Sequence, residues 1–174
     1  LTLGMDQLIN QAAKMRYMFG GRITVPMVLR TQGGAGRSSA AQHSQSLESW
    51  FTHIPGLKVI MPAMPEDAKG LLKSAIRDPN PILFIEHKLL YNTKGNVPES
   101  DYTTPIGKAK IIKKGTDISI VSYSRMVHFA LEAAEELLSQ GISCEIIDLR
   151  TLLPCDWDTV YNSVKKTKRL VIVH

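Results

Sequence analysis

The sequence is poor in cysteine: its 174 residues hold two, Cys144 and Cys155. Two separated thiols build no disulfide framework and lack the paired spacing of a zinc site, so reduced thiols are expected. Aromatic residues make up only 6% of the chain, and none is interleaved with the basic clusters Lys108, Lys110, Lys113, Lys114 and Lys165, Lys166, Lys168, Arg169. The net charge of +5 is therefore dispersed, without a platform for stacking bases, and nucleic acid is not an expected partner. No apolar run approaches the ~18–20 residues of a membrane helix, so no membrane is expected either. Leu1-Thr2-Leu3-Gly4 has neither the basic start nor the apolar core of a signal peptide. There is no initiator methionine, and the chain stops inside an apolar run, "RLVIVH", expected to be a buried strand. Both features lead to the expectation of a fragment that lacks both ends.

What is present alternates. Met5 to Phe19 carries apolar residues mostly at helical spacing, and Gly20-Gly21 closes it. "ITVPMVLRT" reads as a strand whose Pro26 calls for an edge or a bulge. A Gly/Ser loop and a helix over about 44–53 follow. "LKVIMP" is a strand, and "PEDAKGLLKSAIRD" is a helix with Pro65 in its first turn and Glu66 and Asp67 at the positive end of its dipole. "ILFIEH" is a further buried strand. This order is that of an α/β domain with a parallel sheet and helical crossovers. From Lys88 to Pro105 the periodicity disappears, as in a linker. A second, smaller α/β unit follows: two strands about a Gly115 turn, a helix over "MVHFALEAAEELLSQ", the strand "SCEIIDLRTLLP" with its exit, a helix with acids early and lysines late, and "RLVIVH". The expected division is thus 1–87, a linker 88–105, and 106–174.

Two places could carry chemistry. "TQGGAGRSSAAQHSQSLESWF" lacks the Gly-Lys-Ser/Thr ending of a P-loop and the G-x-G-x-x-G register of a dinucleotide site. On spacing it is a flexible corner as readily as a catalytic loop. His43 stands at its end, where strand-end loops of a parallel sheet form ligand crevices and an imidazole can exchange a proton near neutral pH; a structural or solvated histidine fits the same position. The helix end "SAIRDPNP" leaves carbonyls without intrahelical partners beside Asp78 and Asn80, a donor set suited to a hard cation or simply to water. No G-x-S-x-G elbow supports serine catalysis.

"AAQHSQSLESWFTHIPGLKVIMP" and "EDAKGLLKSAIRDPNPILFIEHKLLY" closely resemble the beta subunits of the thiamine-diphosphate-dependent 2-oxo-acid dehydrogenases, the decarboxylating components of the pyruvate, acetoin and branched-chain complexes. "PIGKAKIIKKGTDISIVSYS" and "CEIIDLRTLLPCD" are similar to the start of that family's C-terminal domain. The resemblance covers essentially the whole chain and extends more loosely to transketolases. It implies a partial transketolase-like pyrimidine-binding domain followed by part of a transketolase C-terminal domain. It implies decarboxylation of a 2-oxo acid, pyruvate first, with acetoin or branched-chain substrates as alternatives, and transfer of the acyl group to lipoyl. By resemblance His43 is catalytic, and the loop lines a substrate channel. The backbone oxygens of Met27, Ala75, Ile76, Asp78 and Asn80 map onto a monovalent-cation site, with potassium as the ion. Thiamine diphosphate and its Mg2+ would be shared with an alpha subunit, and the family's cofactor-activating glutamate would lie before Leu1. The implied partners are that alpha subunit, a second beta subunit in a heterotetramer, and a lipoyl-bearing acyltransferase core. The cytoplasm is the expected location, or the mitochondrial matrix in a eukaryote. The 174-residue piece alone is expected to be inactive, and a non-catalytic assembly module is the competing class.

Overall fold

The computed structural model describes residues 2–174. Two sheets organise them. The first unit opens with a 3-10 turn, Thr2–Gly4, a π-helical stretch, Asp6–Ala12, and α1, Ala13–Met18. β1, Val28–Gly33, α2, Glu48–Thr52, β2, Lys58–Ile60, α3, Pro65–Arg77, and β3, Ile82–His87, follow. The second unit contains β4, Lys110–Lys113, β5, Ile118–Ser122, α4, Met126–Ser139, β6, Cys144–Asp148, β7, Thr151–Leu153, α5, Trp157–Thr167, and β8, Leu170–Ile172. Among these residues no helix is long and apolar enough to cross a membrane.

The first sheet has the order β1-β3-β2-β7, with β1, β3 and β2 parallel. Its inner strands β2 and β3 are apolar over Val59–Ile60 and Ile82–Ile85 because both faces are covered there. Val59, Leu83 and Ile85 meet Leu8, Ala13 and Phe51 on one side. Ile60, Ile82 and Phe84 meet Leu71 and Ala75 of α3 on the other. The period of two along each strand assigns these faces. The second sheet, β4-β6-β5-β8, repeats the arrangement: Ile120 and Ile146 pack on Ala130 and Ala134 of α4, while Val121 and Ile147 pack on Val160 of α5.

Several sequence expectations need correction. Residues 23–27 are not in a strand: β1 begins at Val28, beyond Pro26, which has no N–H to give a ladder, and β1 is indeed an edge. The helix expected over 44–53 shrinks to Glu48–Thr52, and His43 lies in a separate 3-10 turn, Ala41–His43. β4 and β5 are not neighbours, because β6 inserts between them, antiparallel to β4 and parallel to β5. "RLVIVH" contributes an exposed edge strand and not a buried one: Leu170, Val171 and Ile172 are 43%, 45% and 65% exposed. An apolar run reports affinity for a sheet, not a place inside it.

Segment 88–105 starts with a 3-10 turn, Lys88–Leu90, and then lies along α3. Thr104 N–H donates to the Gly70 carbonyl, Ser74 Oγ donates to the Thr104 carbonyl, and Tyr102 Oη donates to the Glu66 carbonyl. Glycine inside a helix costs about 1 kcal/mol against alanine. At position 70 the reason is contact, since a Cβ there would stand 2.2 Å from Thr104 Oγ1.

β7 belongs to the second unit in sequence but pairs antiparallel with β2 of the first. The residue before it, Arg150, is buried with φ +58°. Its guanidinium donates to Asp67 of α3 at 2.9 Å and to the Lys108 carbonyl at 2.7 and 3.0 Å. Its own carbonyl accepts from Met61 N–H. Tyr123 Oη donating to Glu48 and His128 Nε2 against the Ala63 carbonyl add further ties between the units.

Asp148, fully buried, ends β6 beside this junction. Its Oδ1 accepts from Arg150 N–H at 3.0 Å, while its Oδ2 and that of Asp67 have no hydrogen-bond partner among the described residues. Burial pushes its pKa up to about 7, with the Asp67 charge adding to the rise and Arg150 and Lys110 opposing it. An unfolded aspartate titrates near 4. Between those values the folded chain holds a proton that the unfolded chain has released, so stability falls as pH rises through the window, and the penalty is complete above it. Asp148→Asn keeps the Oδ1 acceptor and removes the charge. It should raise the thermal midpoint by roughly 4 °C or more at pH 8 and by clearly less at pH 5, where only part of the penalty has developed. Equal shifts at the two pH values would contradict this assignment.

Candidate functional site

β1 and β3 run parallel and end side by side, with Gly33 opposite His87. The loop after β1 leaves at Gly34 and returns at Gln45, and its neck is closed by Gly34 N–H donating to the Gln45 carbonyl at 3.0 Å. Inside it Ser44 Oγ and His43 N–H both donate to the Ala40 carbonyl. Ser38 and Ala40 adopt φ of 53° and 65°, costing about 1–2 kcal/mol each for residues with a Cβ. The loop is therefore a shaped element with fixed contacts. Its base rests on His87: a Cβ at Gly34, where φ is +85°, would fall 2.2 Å from His87 Nε2. His87 Nδ1 accepts from Leu89 N–H, so the neutral ring carries its proton on Nε2. Burial, together with the nearby Arg125 and Lys88 charges, lowers the His87 pKa below the ordinary imidazole value.

A cavity of about 560 Å³ opens at these strand ends. Leu47, Phe51 and Ile85 form its apolar wall, and Gln32, Gln42 and Gln45 supply amides. His43 lines it and is exposed. Glu86 also lines it, but both carboxylate oxygens are engaged, Oε1 by Arg30 at 2.6 and 2.9 Å and Oε2 by Tyr91 Oη at 2.8 Å. Burial and the Glu86 charge raise the Tyr91 pKa, which keeps the phenol a donor. Lys88, buried, completes the polar lining. Apolar wall and neutral amides together suit one face of an aromatic heterocycle.

The sequence reading singled out His43 in this cavity but overlooked Lys88 and the Arg30–Glu86–Tyr91 network. The available signal was the charged "EHK" at the end of an otherwise apolar strand. The residues proposed for a cation gather elsewhere, at the N-terminal end of β3. Val25 N–H donates to the Pro79 carbonyl and Ile82 N–H to the Met27 carbonyl, which brings the segment before β1 alongside the end of α3. The Ala75 carbonyl accepts from Asp78 N–H. Among the described residues, no backbone N–H outside the helices and strands donates to the Ile76, Asp78 or Asn80 carbonyl. The Asp78 carboxylate itself is committed to Lys58 and to Asn80. Burial opposes its ionisation, but those hydrogen bonds outweigh burial and hold its pKa below the usual carboxylate value. Lys58 thus balances the Asp78 charge beside the negative end of α3, and the neutral oxygens are left for an ion.

Residues 3–94 match the transketolase pyrimidine-binding domain, and residues 107–174 match the transketolase C-terminal domain. The chain belongs to the transketolase pyrimidine-binding family. Within it, the chain is 58% identical over 168 residues to the acetoin:2,6-dichlorophenolindophenol oxidoreductase subunit beta of Cupriavidus necator, covering 97% of this chain and 50% of that one. It is 54% identical over 170 residues to the pyruvate dehydrogenase E1 component subunit beta of Rhizobium meliloti, covering 97% and 37%. The chain spans about half the length of the curated relatives it matches. A split-gene transketolase, described as an inactive beta4 tetramer, superposes with a TM-score of 0.71 at 22% identity over 95% of this chain and 54% of that one, and so shares the fold. In this pyrimidine-binding chain both sheets are mixed, β7 and β4 each adding an antiparallel edge to parallel strands.

The contact between Gly34 and His87 fixes where the loop starts. Gly34→Ala introduces both a clash and an unfavourable φ, and should destabilise the chain by about 1–3 kcal/mol. Loop cleavage by a protease of broad specificity should accelerate as the Gly34–Gln45 neck opens. A thermal midpoint and cleavage rate equal to wild type would show that the neck does not constrain the loop.

Proposed function

We propose that this chain is the pyrimidine-binding part of a thiamine-diphosphate-dependent 2-oxo-acid dehydrogenase that acts on pyruvate and passes the acetyl group to lipoyl. The observation that carries the proposal is the position of His43: it lines the cavity at the ends of β1 and β3 in a chain of this family. Bound thiamine diphosphate supplies the electron sink for breaking the bond beside the 2-oxo carbon. The apolar wall of Leu47, Phe51 and Ile85 and the amides of Gln32, Gln42 and Gln45 fit the ring end of that cofactor. Among the described lining residues no carboxylate is free to meet its ring nitrogen, because Glu86 is held by Arg30 and Tyr91. The diphosphate with its Mg2+ is assigned to an alpha-type partner, and a second beta chain and a lipoyl-bearing acyltransferase complete the assembly.

In this reading Leu47, Phe51 and Ile85 exclude water from the reacting end, and the Arg30–Glu86–Tyr91 bridge holds the rim in shape. As one lipoyl sulfur takes the acyl group and the ring's S–S bond breaks, the His43 imidazolium would give its proton to the other sulfur, released as a thiolate. In the full-length chain assembled with its alpha partner, His43→Ala should slow lipoyl acylation by about 10²–10⁴-fold and leave cofactor affinity within a few fold. Acylation at the wild-type rate would remove His43 from the mechanism. Acetoin is the second reading, favoured by the 58% identity to an acetoin oxidoreductase subunit; turnover of pyruvate and acetoin side by side separates the two.

The carbonyls of Met27, Ala75, Ile76, Asp78 and Asn80 are proposed as the potassium site. Neutral oxygens suit a singly charged ion better than Mg2+, which demands a stricter octahedron. Replacing potassium by tetramethylammonium at equal ionic strength should lower both thermal stability and turnover of the assembled enzyme. The same values in the two buffers would dismiss the site.

A further inference from the structure

Among the described residues two basic side chains are buried, Arg150 and Lys88. Arg150 is paired with Asp67. Lys88, 7% exposed, is not: among the described residues every ion pair uses another cation. The Lys88 stem is buried, but its Nζ is not among the fully buried side-chain atoms that lack a partner, so the ammonium reaches open space with no answering charge. The carboxylate nearest in sequence, Glu86, cannot answer it, since Arg30 and Tyr91 already occupy both oxygens. The adjacent His87 has a lowered pKa and carries no compensating negative charge. Lys88 lines the same cavity as His43, so the unmatched positive charge belongs to a space that a ligand can enter.

We infer that Lys88 is a substrate-specificity residue that binds the carboxylate of a small anionic 2-oxo acid in the His43 cavity. The inference rests on the proposed dehydrogenase reading and sharpens it, because pyruvate is an anion and acetoin is neutral. An ammonium ion-paired with the carboxylate holds it in the bound acid and up to the point where the carbon–carbon bond breaks. Its contribution is therefore uniform binding, and its loss should raise KM with kcat little changed.

The test uses the full-length chain assembled with its alpha partner, as wild type, Lys88→Met and Lys88→Arg. Hydrogen bonds to charged groups are worth about 1.5–3 kcal/mol, so Lys88→Met should raise the KM for pyruvate about 10- to 100-fold. The ratio of kcat/KM for pyruvate to that for acetoin should fall by the same factor, and Lys88→Arg, which keeps the charge, should retain most of it. An equal loss on both substrates, or an unchanged pyruvate KM, would overturn the assignment. If wild type turns over neither substrate, the dehydrogenase reading fails on its own, and calorimetry with oxamate, an unreactive carboxylate of pyruvate's shape, still decides the role of Lys88. Weaker oxamate binding by Lys88→Met upholds it; equal binding by the two proteins, or none by wild type, overturns it.

Discussion

A single buried guanidinium, that of Arg150, joins the two halves of this chain. It reaches back to Asp67 on α3 and across to the Lys108 carbonyl, and its own carbonyl accepts from Met61. Arg150 takes a positive φ between β6 and β7, which turns the chain out of the second sheet and into the first. The strand β7 is short, but its pairing with β2 makes one sheet depend on both units. A buried charge pair of this kind is weak evidence for net stability, yet removing one partner leaves an uncompensated charge and is strongly destabilising. The junction therefore fixes geometry more than it adds stability, and Asp148 beside it carries a pH-dependent penalty.

That geometry reaches the site. Arg125 and Phe129, at the start of α4, form a cation–π pair, and Arg125 Nη1 would stand 3.1 Å from a Cβ at Gly36. Gly34 meets His87 from the first unit. The loop carrying His43 is thus held from below by β3 and from the side by the second unit. The role proposed for His43 calls for such support, since proton transfer is sensitive to displacements of an ångström.

Much of this was legible in the sequence. The continuous apolar run of "ILFIEH" and the dipole-matched charges of "PEDAKGLLKSAIRD" specify β3 and α3 without reference to any partner, and both appear where expected. What could not be read was relational. "RLVIVH" has the composition of an interior strand and lies at an edge, because edge status depends on what pairs beside it. "RTLL" looks like an exit from β6 and becomes a strand of the other sheet, a decision made by Val59 and Ile60 far away in sequence. His43 was identifiable from its motif, whereas Lys88 looked like a surface lysine after a strand. Only the three-dimensional arrangement shows it largely buried and, among the described residues, in no ion pair. The residues proposed for a cation lie near one another, but the engagement of Asp78 by Lys58 was invisible to spacing.

In the proposed function this fold works with thiamine diphosphate on a 2-oxo acid. The most direct measurement is release of labelled carbon dioxide from carboxyl-labelled pyruvate by the full-length chain assembled with its alpha partner, with and without thiamine diphosphate and Mg2+. The account predicts release that requires both chains and the cofactor. No release from pyruvate under those conditions, by an assembled and folded complex, would contradict it.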